Sequence, residues 1–216
     1  MLTHIPSRTL VIDCATQACS VALIEGDSVI AATHDLVGRG HAEHLLPMIA
    51  ALPGGGRAGR ILVDCGPGSF TGVRVGLAAA RALGMGWGVP VEGYASTAII
   101  AAAAFATDPA LERLAVVLEG GHGEVFMQPF SRQPMVDDAP LASLLPGVAL
   151  AALDGRLAIG NGVRHLTAID PDLAATDALP NAASAVLLPA NFTALPPVPI
   201  YGRAPDAKTL AERGLS

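Results

Sequence analysis

Apolar residues fall along this chain in two rhythms. Short bounded runs predict buried strands over Thr9 to Asp13 and Cys19 to Glu25. Gly26-Asp27 supplies a hairpin turn and Ser28 to His34 a third strand, so a three-strand meander opens the chain. From His41 to Leu52 the period changes. Leu45, Met48, Ile49 and Leu52 recur at helical spacing and predict a helix with one apolar stripe. Pro47 lies inside it. Lacking an N–H, it either kinks that helix or starts a fresh one. Pro53-Gly54-Gly55-Gly56 ends the segment.

Ile61 to Cys65 reads as a strand. The turn Gly66-Pro-Gly-Ser-Phe-Thr-Gly72 follows, and then a helix from about Thr71 to Trp87. Gly72, Gly76, Ala80 and Gly84 recur every fourth residue and line up small side chains where another backbone can come close. Each glycine costs a helix about 1 kcal/mol against alanine, and tight packing is the natural compensation. Val89 to Glu92 predicts a strand and Ala95 to Phe105 a helix. The order βββαβαβα predicts an α/β protein, with parallel strands after the meander and helices on the sheet faces.

The second half is less regular. Leu114 to Leu118 and Glu124 to Phe130 read as paired strands across a Gly-rich turn. Pro140 onward reads as loop and weak helix. Arg156 to Ile159 predicts a short strand, Asn181 to Leu188 a short helix, and Val198 to Tyr201 a last strand. Asp108-Pro109 divides the chain into lobes at 1–107 and 108–216, the second smaller, with its last strand or helix returning to the first. No internal repeat of clear period is visible, although both halves open with a strand pair.

Composition narrows the function. With 51% apolar and 15% charged residues among 216, the chain can bury a core and is not disordered. Aromatics are only 4%, so Val, Leu, Ile and Ala must build that core. The net charge of −6 and the lack of any Lys/Arg run argue against a protein that grips nucleic acid by its own phosphate contacts. Cys14, Cys19 and Cys65 lack CxxC spacing, and their odd number speaks for buried reduced thiols rather than a disulfide framework. The start, Met1-Leu-Thr-His-Ile-Pro-Ser-Arg, has no basic region leading into an apolar run, and Ala98 to Ala106 is too short for a membrane span. A cytoplasmic protein is expected.

Candidate chemistry is sparse. The strand-to-helix turn Gly66, Gly68, Ser69, Thr71, Gly72 reads either as an anion site at a helix N-terminus or as a tight turn packed on its neighbour. Ser69 or Thr71 would cap the helix. It is neither a Walker A loop nor GxGxxG. Asp13 and Thr16 at the end of the first strand read either as a holder of metal-bound phosphate or as a turn cap. His41 and His44 are three apart on one helix face, but zinc proteases of the His-Glu-x-x-His kind need a spacing of four and a further ligand, so no metal is expected. Arg74 and Arg81 lie two turns apart, placed either to meet acids on a partner or to be solvated. No nucleophile–base–acid set is identifiable, so no catalytic residue is assigned.

The run Leu10-Val-Ile-Asp13-Cys-Ala-Thr16-Gln-Ala-Cys-Ser20-Val-Ala-Leu23 resembles the opening of the TsaB family, as does His41-Ala-Glu-His-Leu-Leu-Pro-Met-Ile49. Most specific is Gly66-Pro-Gly-Ser-Phe-Thr-Gly-Val-Arg-Val-Gly-Leu77, followed by Val89-Pro-Val-Glu-Gly93. The likeness covers most of residues 9 to 105. It then continues in patches: Gly123-Glu-Val-Phe126, Gly160-Asn-Gly162 and Tyr201-Gly-Arg203-Ala-Pro-Asp206-Ala207.

The resemblance implies the two-lobe, actin- and hexokinase-like (ASKHA) fold, with mixed sheets flanked by helices. It implies an accessory, non-catalytic relative of TsaD that supports, with TsaD and the ATPase TsaE, threonylcarbamoyl transfer to the adenosine 3′ of the anticodon in tRNA. The catalytic relative holds a metal through a His-x-x-x-His pair after its Val-Pro-Val strand. Here those positions fall on Ser96 and Ile100, and the intervening acid on Ala98, so the metal site is lost. The Asp-Ala-Arg that usually precedes Gly-Glu-Val is replaced by Glu119-Gly-Gly121 and His122, which weakens the case for a nucleotide bridging both lobes.

The partner interface expected on this basis is the two-helix face His41, His44, Leu45, Met48, Ile49, Arg74, Gly76, Leu77, Ala80, Arg81 and Gly84. TsaD would complete it as a four-helix contact burying ~1,600 Å² in total, and the same face would make a homodimer when the chain is alone. No cofactor is expected beyond a weak or interface-shared ATP or ADP, and tRNA would be met only through the complex. The rival readings are a stand-alone kinase or ATPase using Asp13, Thr16 and the glycine turn, and a metallopeptidase.

Overall fold

The computed structural model describes residues 8–202; the resemblance at Arg203 to Ala207 lies outside them. The predicted meander is present as β1 (Arg8–Asp13), β2 (Ala18–Glu25) and β3 (Ser28–Leu36), paired antiparallel. β4 (Arg60–Asp64) and β5 (Val91–Tyr94) add parallel to β1, giving the sheet order β3-β2-β1-β4-β5. The fifth strand starts two residues later than its apolar pattern suggested.

The second sheet repeats this plan. β6 (Arg113–Gly121) and β7 (Glu124–Ser131) form an antiparallel hairpin, extended by β8 (Val136–Asp137). On the other side of β6 lie β10 (Leu157–Ile159) and β11 (Ala175–Thr176), both parallel, while β9 (Ala142–Leu144) pairs with β7. The order β11-β10-β6-β7-β8 is the first sheet's order read backwards, so a repeat invisible in the residues is explicit in the topology. The architecture is the α/β one expected, two mixed sheets flanked by helices.

Side-chain alternation along β1 divides the core. Leu10 and Ile12 face α1 (His41–Ala51) and α2 (Phe70–Trp87), whereas Val11 faces α3 (Ser96–Thr107). Most side chains of α3 are apolar and most are buried, because it lies between the two sheets and meets solvent only near its C-terminal end. α4 (Pro146–Ala152) and α5 (Val163–Thr167) cover the far face of the second sheet.

Four local expectations are corrected. α1 runs unbroken through Pro47, whose ring lies on the exposed side. The helix expected over Asn181 to Leu188 is 3₁₀ (Ala182–Leu187), and it packs on β1 to β3 and α3, so this stretch of the second half leans on the first sheet. Residues 198 to 201 form no strand. Pro196, Pro197 and Pro199 have no N–H to donate, and the segment is held instead by single bonds such as the Ile200 N–H donating to the Cys65 carbonyl at 2.8 Å.

The fourth concerns the small-residue line of α2. Gly72, Gly76, Ala80 and Gly84 are buried against the chain's own first sheet. A Cβ on Gly72 would lie 2.0 Å from the Cys14 carbonyl oxygen, and one on Gly84 would lie 2.3 Å from a Val91 methyl. The backbone that comes close is therefore internal. Gly86, on the same helix, has open space around its missing Cβ. Gly72→Ala should lower unfolding stability by about 1–3 kcal/mol in denaturant titrations. Gly86→Ala should leave it unchanged or raise it by up to about 1 kcal/mol. Equal effects would contradict this seating.

Candidate functional site

The site forms where the two sheets' hairpin turns face each other. A cleft of about 950 Å³ opens there, walled by Ala15 to Gln17, Gly68 to Phe70, Val73, Arg74, Glu119 to His122, Asn161 and Pro199 to Gly202. Two tight backbone contacts build the near wall. The Ser69 N–H donates to the Ala15 carbonyl at 2.6 Å, and Gly68 presses on the same carbonyl so closely that a Cβ would lie 2.0 Å from it. Ser69 then caps α2, its Oγ accepting from the Gly72 N–H at 3.2 Å.

Histidine completes this wall from behind. His41, buried at the start of α1, places Nε2 2.8 Å from the Thr16 carbonyl and 3.2 Å from that of Ala18. Both partners are acceptors, so Nε2 carries the proton. The residue staples α1 to the β1–β2 turn and is not a surface group. Among the described residues no group of three His, Cys, Asp or Glu is placed to hold a metal ion.

Below the cleft lies a feature that residue patterns did not reveal. The sheet pairing puts Asp13 opposite Ser20, Ser20 opposite His34, and Asp64 opposite Tyr94. With β1 beside β4, one row across the sheet's α3 face reads His34, Ser20, Asp13, Asp64, Tyr94. Asp13 and Asp64 are both fully buried. The Tyr94 hydroxyl donates to Asp13 Oδ2 at 2.8 Å. The Ser96 hydroxyl lies 2.9 and 2.7 Å from the two Asp64 oxygens, and the Gly66 N–H donates to Asp64 at 2.7 Å.

Burial pushes both carboxyls above the usual range, and the charge of Asp13 raises Asp64 further. Two like charges side by side in a dry core cannot both stand, so Asp64 keeps a proton and offers it to Asp13. Ser96, at the position where the catalytic relative would carry a metal-binding histidine, serves this network; Ile100 is buried in the core. Asp64 ends an apolar strand, and only its register beside Asp13 gives it a role.

The structure divides the expected residues. Asp13 lies behind the cleft wall in the acid pair, and Gly66 and Gly72 are buried in the turn, so none of the three faces an anion. Thr16, Gly68 and Ser69 line the cleft. Thr71 is exposed on the first turn of α2. Of the interface set, His41, Leu45, Met48, Ile49, Gly76, Leu77, Ala80 and Gly84 are sealed inside this chain, where they cement α1 and α2 to their own sheet. A bulky residue at Gly76 or Ala80 would therefore test folding rather than docking. His44, Arg74 and Arg81 remain exposed. Arg74 lies 3.4 Å from the Phe70 ring centroid and donates to the Tyr201 hydroxyl at 3.0 Å, and Arg81 donates to the Pro197 carbonyl. These two arginines strap residues 197 to 201 along α2.

The acid pair makes stability pH-dependent, with a defined sign. Folding raises these carboxyl pKa values, so the stabilisation is complete below the unfolded value of about 4 and is lost as pH climbs towards and through the folded one. Asp64→Asn imitates the protonated acid, donating to Asp13 while accepting from Ser96 and Gly66. As pH rises above about 4 the native chain should lose unfolding free energy relative to Asp64→Asn. Parallel pH–stability curves for the two proteins would contradict a shared proton.

Comparison with known proteins agrees with this geometry. A family model described as TsaD, tRNA N6-adenosine threonylcarbamoyltransferase, matches residues 35–140. The tRNA threonylcarbamoyladenosine biosynthesis protein TsaB of Escherichia coli is 36% identical over 132 residues, and the match takes in 58% of this chain and 55% of that one. The chain thus spans about half the length of this curated relative. An uncharacterized Mycobacterium tuberculosis protein, Rv3421c, is 32% identical over 95% of this chain and 96% of its own length. The solved structure of YeaZ from Pseudomonas aeruginosa superposes with a TM-score of 0.77 at 27% identity, covering 90% of this chain and 99% of that one. Together with the glycine turn seated on the first hairpin, these matches show that the chain belongs to the TsaB family.

Proposed function

We propose that this chain is a non-catalytic accessory subunit in tRNA threonylcarbamoyladenosine biosynthesis, and that it binds the TsaD of its own cell through the outer faces of α1 and α2. The observation that carries the reading is the exposed side of α2. Opposite the buried glycine line, Phe70, Ala78, Ala82 and Met85 form an exposed stripe, with Met85 89% accessible. α1 packs beside α2 and adds the exposed Leu46 and His44. Large apolar groups held out on rigid helices suit a protein partner. Arg74 and Arg81 lie within the same exposed face and add positive charge to it.

In this reading the chain works in the cytoplasm, TsaE joins the assembly through the complex, tRNA is met only there, and the same stripe serves a homodimer when TsaD is absent. The use of Ser96 in the acid network fits a supporting role. Nucleotide in the cleft is a second reading, favoured by the cleft's size and by α2 opening onto it. A kinase would need an exposed carboxylate, and Asp13 is behind the wall.

Co-expression with TsaD from the same organism provides the test. Ala78→Arg combined with Met85→Glu should leave the thermal unfolding temperature within a few degrees and weaken co-purification by at least about tenfold. Leu77→Ala should instead lower stability by about 2–5 kcal/mol, because its side chain is buried in the core. Undiminished capture of TsaD by the Ala78/Met85 variant would overturn the docking face.

A further inference from the structure

The three cysteines are all buried, but two of them share one place. Cys14 and Cys19 are the next positions outward from the paired Asp13 and Ser20 at the end of the β1–β2 hairpin, and their sulfurs lie 3.7 Å apart. Facing residues on antiparallel strands have Cα atoms about 4.5–5.5 Å apart, within the range a disulfide spans. Both side chains face α2, and the turn between them, Ala15 to Gln17, is a wall of the cleft. The thiols are thus dry yet only one residue behind a surface that small solutes reach.

We propose that Cys14 and Cys19 are an intramolecular redox pair, which hydrogen peroxide converts to a disulfide that loosens the seat of α2.

The chemistry balances within the pair. The Cys19 thiolate attacks one peroxide oxygen, the O–O bond breaks, and hydroxide leaves, giving a sulfenic acid. The Cys14 sulfur then attacks the Cys19 sulfur and displaces its oxygen as water, while the hydroxide takes up the remaining proton. Two thiols and one peroxide become one disulfide and two waters. The roles follow from the contact between the sulfurs. It holds the Cys19 thiol below its ordinary value and raises that of Cys14, so Cys19 attacks first. Cys65 has no thiol neighbour; its hydrogen goes to backbone carbonyls, and burial pushes it up to about 12.

The structural consequence follows from what rests on Cys14. Its carbonyl is the surface on which Gly72 sits, and its Cβ is 3.5 Å from where a Gly76 Cβ would be. Closing the sulfurs from 3.7 Å to a bond of about 2.05 Å moves this floor under the first two turns of α2.

The full-length chain, reduced and then treated with hydrogen peroxide, provides the test. Intact mass should fall by two hydrogens, and alkylation after denaturation should then label Cys65 alone. Cys14→Ser should stop at a sulfenic acid on Cys19, trapped by dimedone, and Cys19→Ser should form neither product at a comparable rate. Amide hydrogen exchange over residues 70 to 76 should accelerate by at least about tenfold on oxidation and recover with dithiothreitol. Oxidation of Cys65 as fast as the pair, a bridge between molecules, or full labelling of all three thiols would overturn the pair. Unchanged exchange at α2 in the oxidised chain would overturn its effect on the helix.

Discussion

The contact on which the rest of this molecule depends is between two pieces of backbone. Gly68 and Gly72 lie directly on the carbonyls of Ala15 and Cys14, where any Cβ would clash. That contact locks the strand-to-helix turn to the first hairpin. It aims α2 along the sheet and builds one wall of the cleft. Glycine is required here for closeness rather than for unusual torsion, since neither residue has a positive φ. Gly66 is the exception in the same turn: its φ of +93° makes the bend that lets its N–H reach Asp64.

Much of the fold was legible because the first half obeys simple periods. The meander, α1, α2 and the parallel strands all follow from apolar spacing, within two residues at most ends. The second half resisted for physical reasons. Several of its strands are only two or three residues long, too short to show a period, and its last two helical segments, Ala182–Leu187 and Ala190–Phe192, are 3₁₀. The final segment has the apolar content of a strand, but three prolines deny it ladder bonds. The duplicated sheet plan lives in pairing order, which residue spacing does not encode.

The site was half legible. Spacing correctly indicated that some backbone approaches Gly72, Gly76, Ala80 and Gly84, but it carries no information about whose backbone. Helical phase alone assigns the apolar stripe of α1 and the small stripe of α2 to whatever covers them, and here the chain's own sheet does. The surface left for a partner is the other side, where Phe70, Ala78 and Met85 stand out. Asp64 was missed because a single acid ending an apolar strand looks like a boundary. It becomes half of a proton-sharing pair only when β4 is laid beside β1.

Hydrogen–deuterium exchange of this chain with and without the TsaD of its own organism tests the central claim most directly. The account predicts slowed exchange confined to α1 and the outer turns of α2, with the cleft hairpins unchanged. Protection at the β6–β7 hairpin or along β3 instead, with α1 and α2 unaffected, would contradict it.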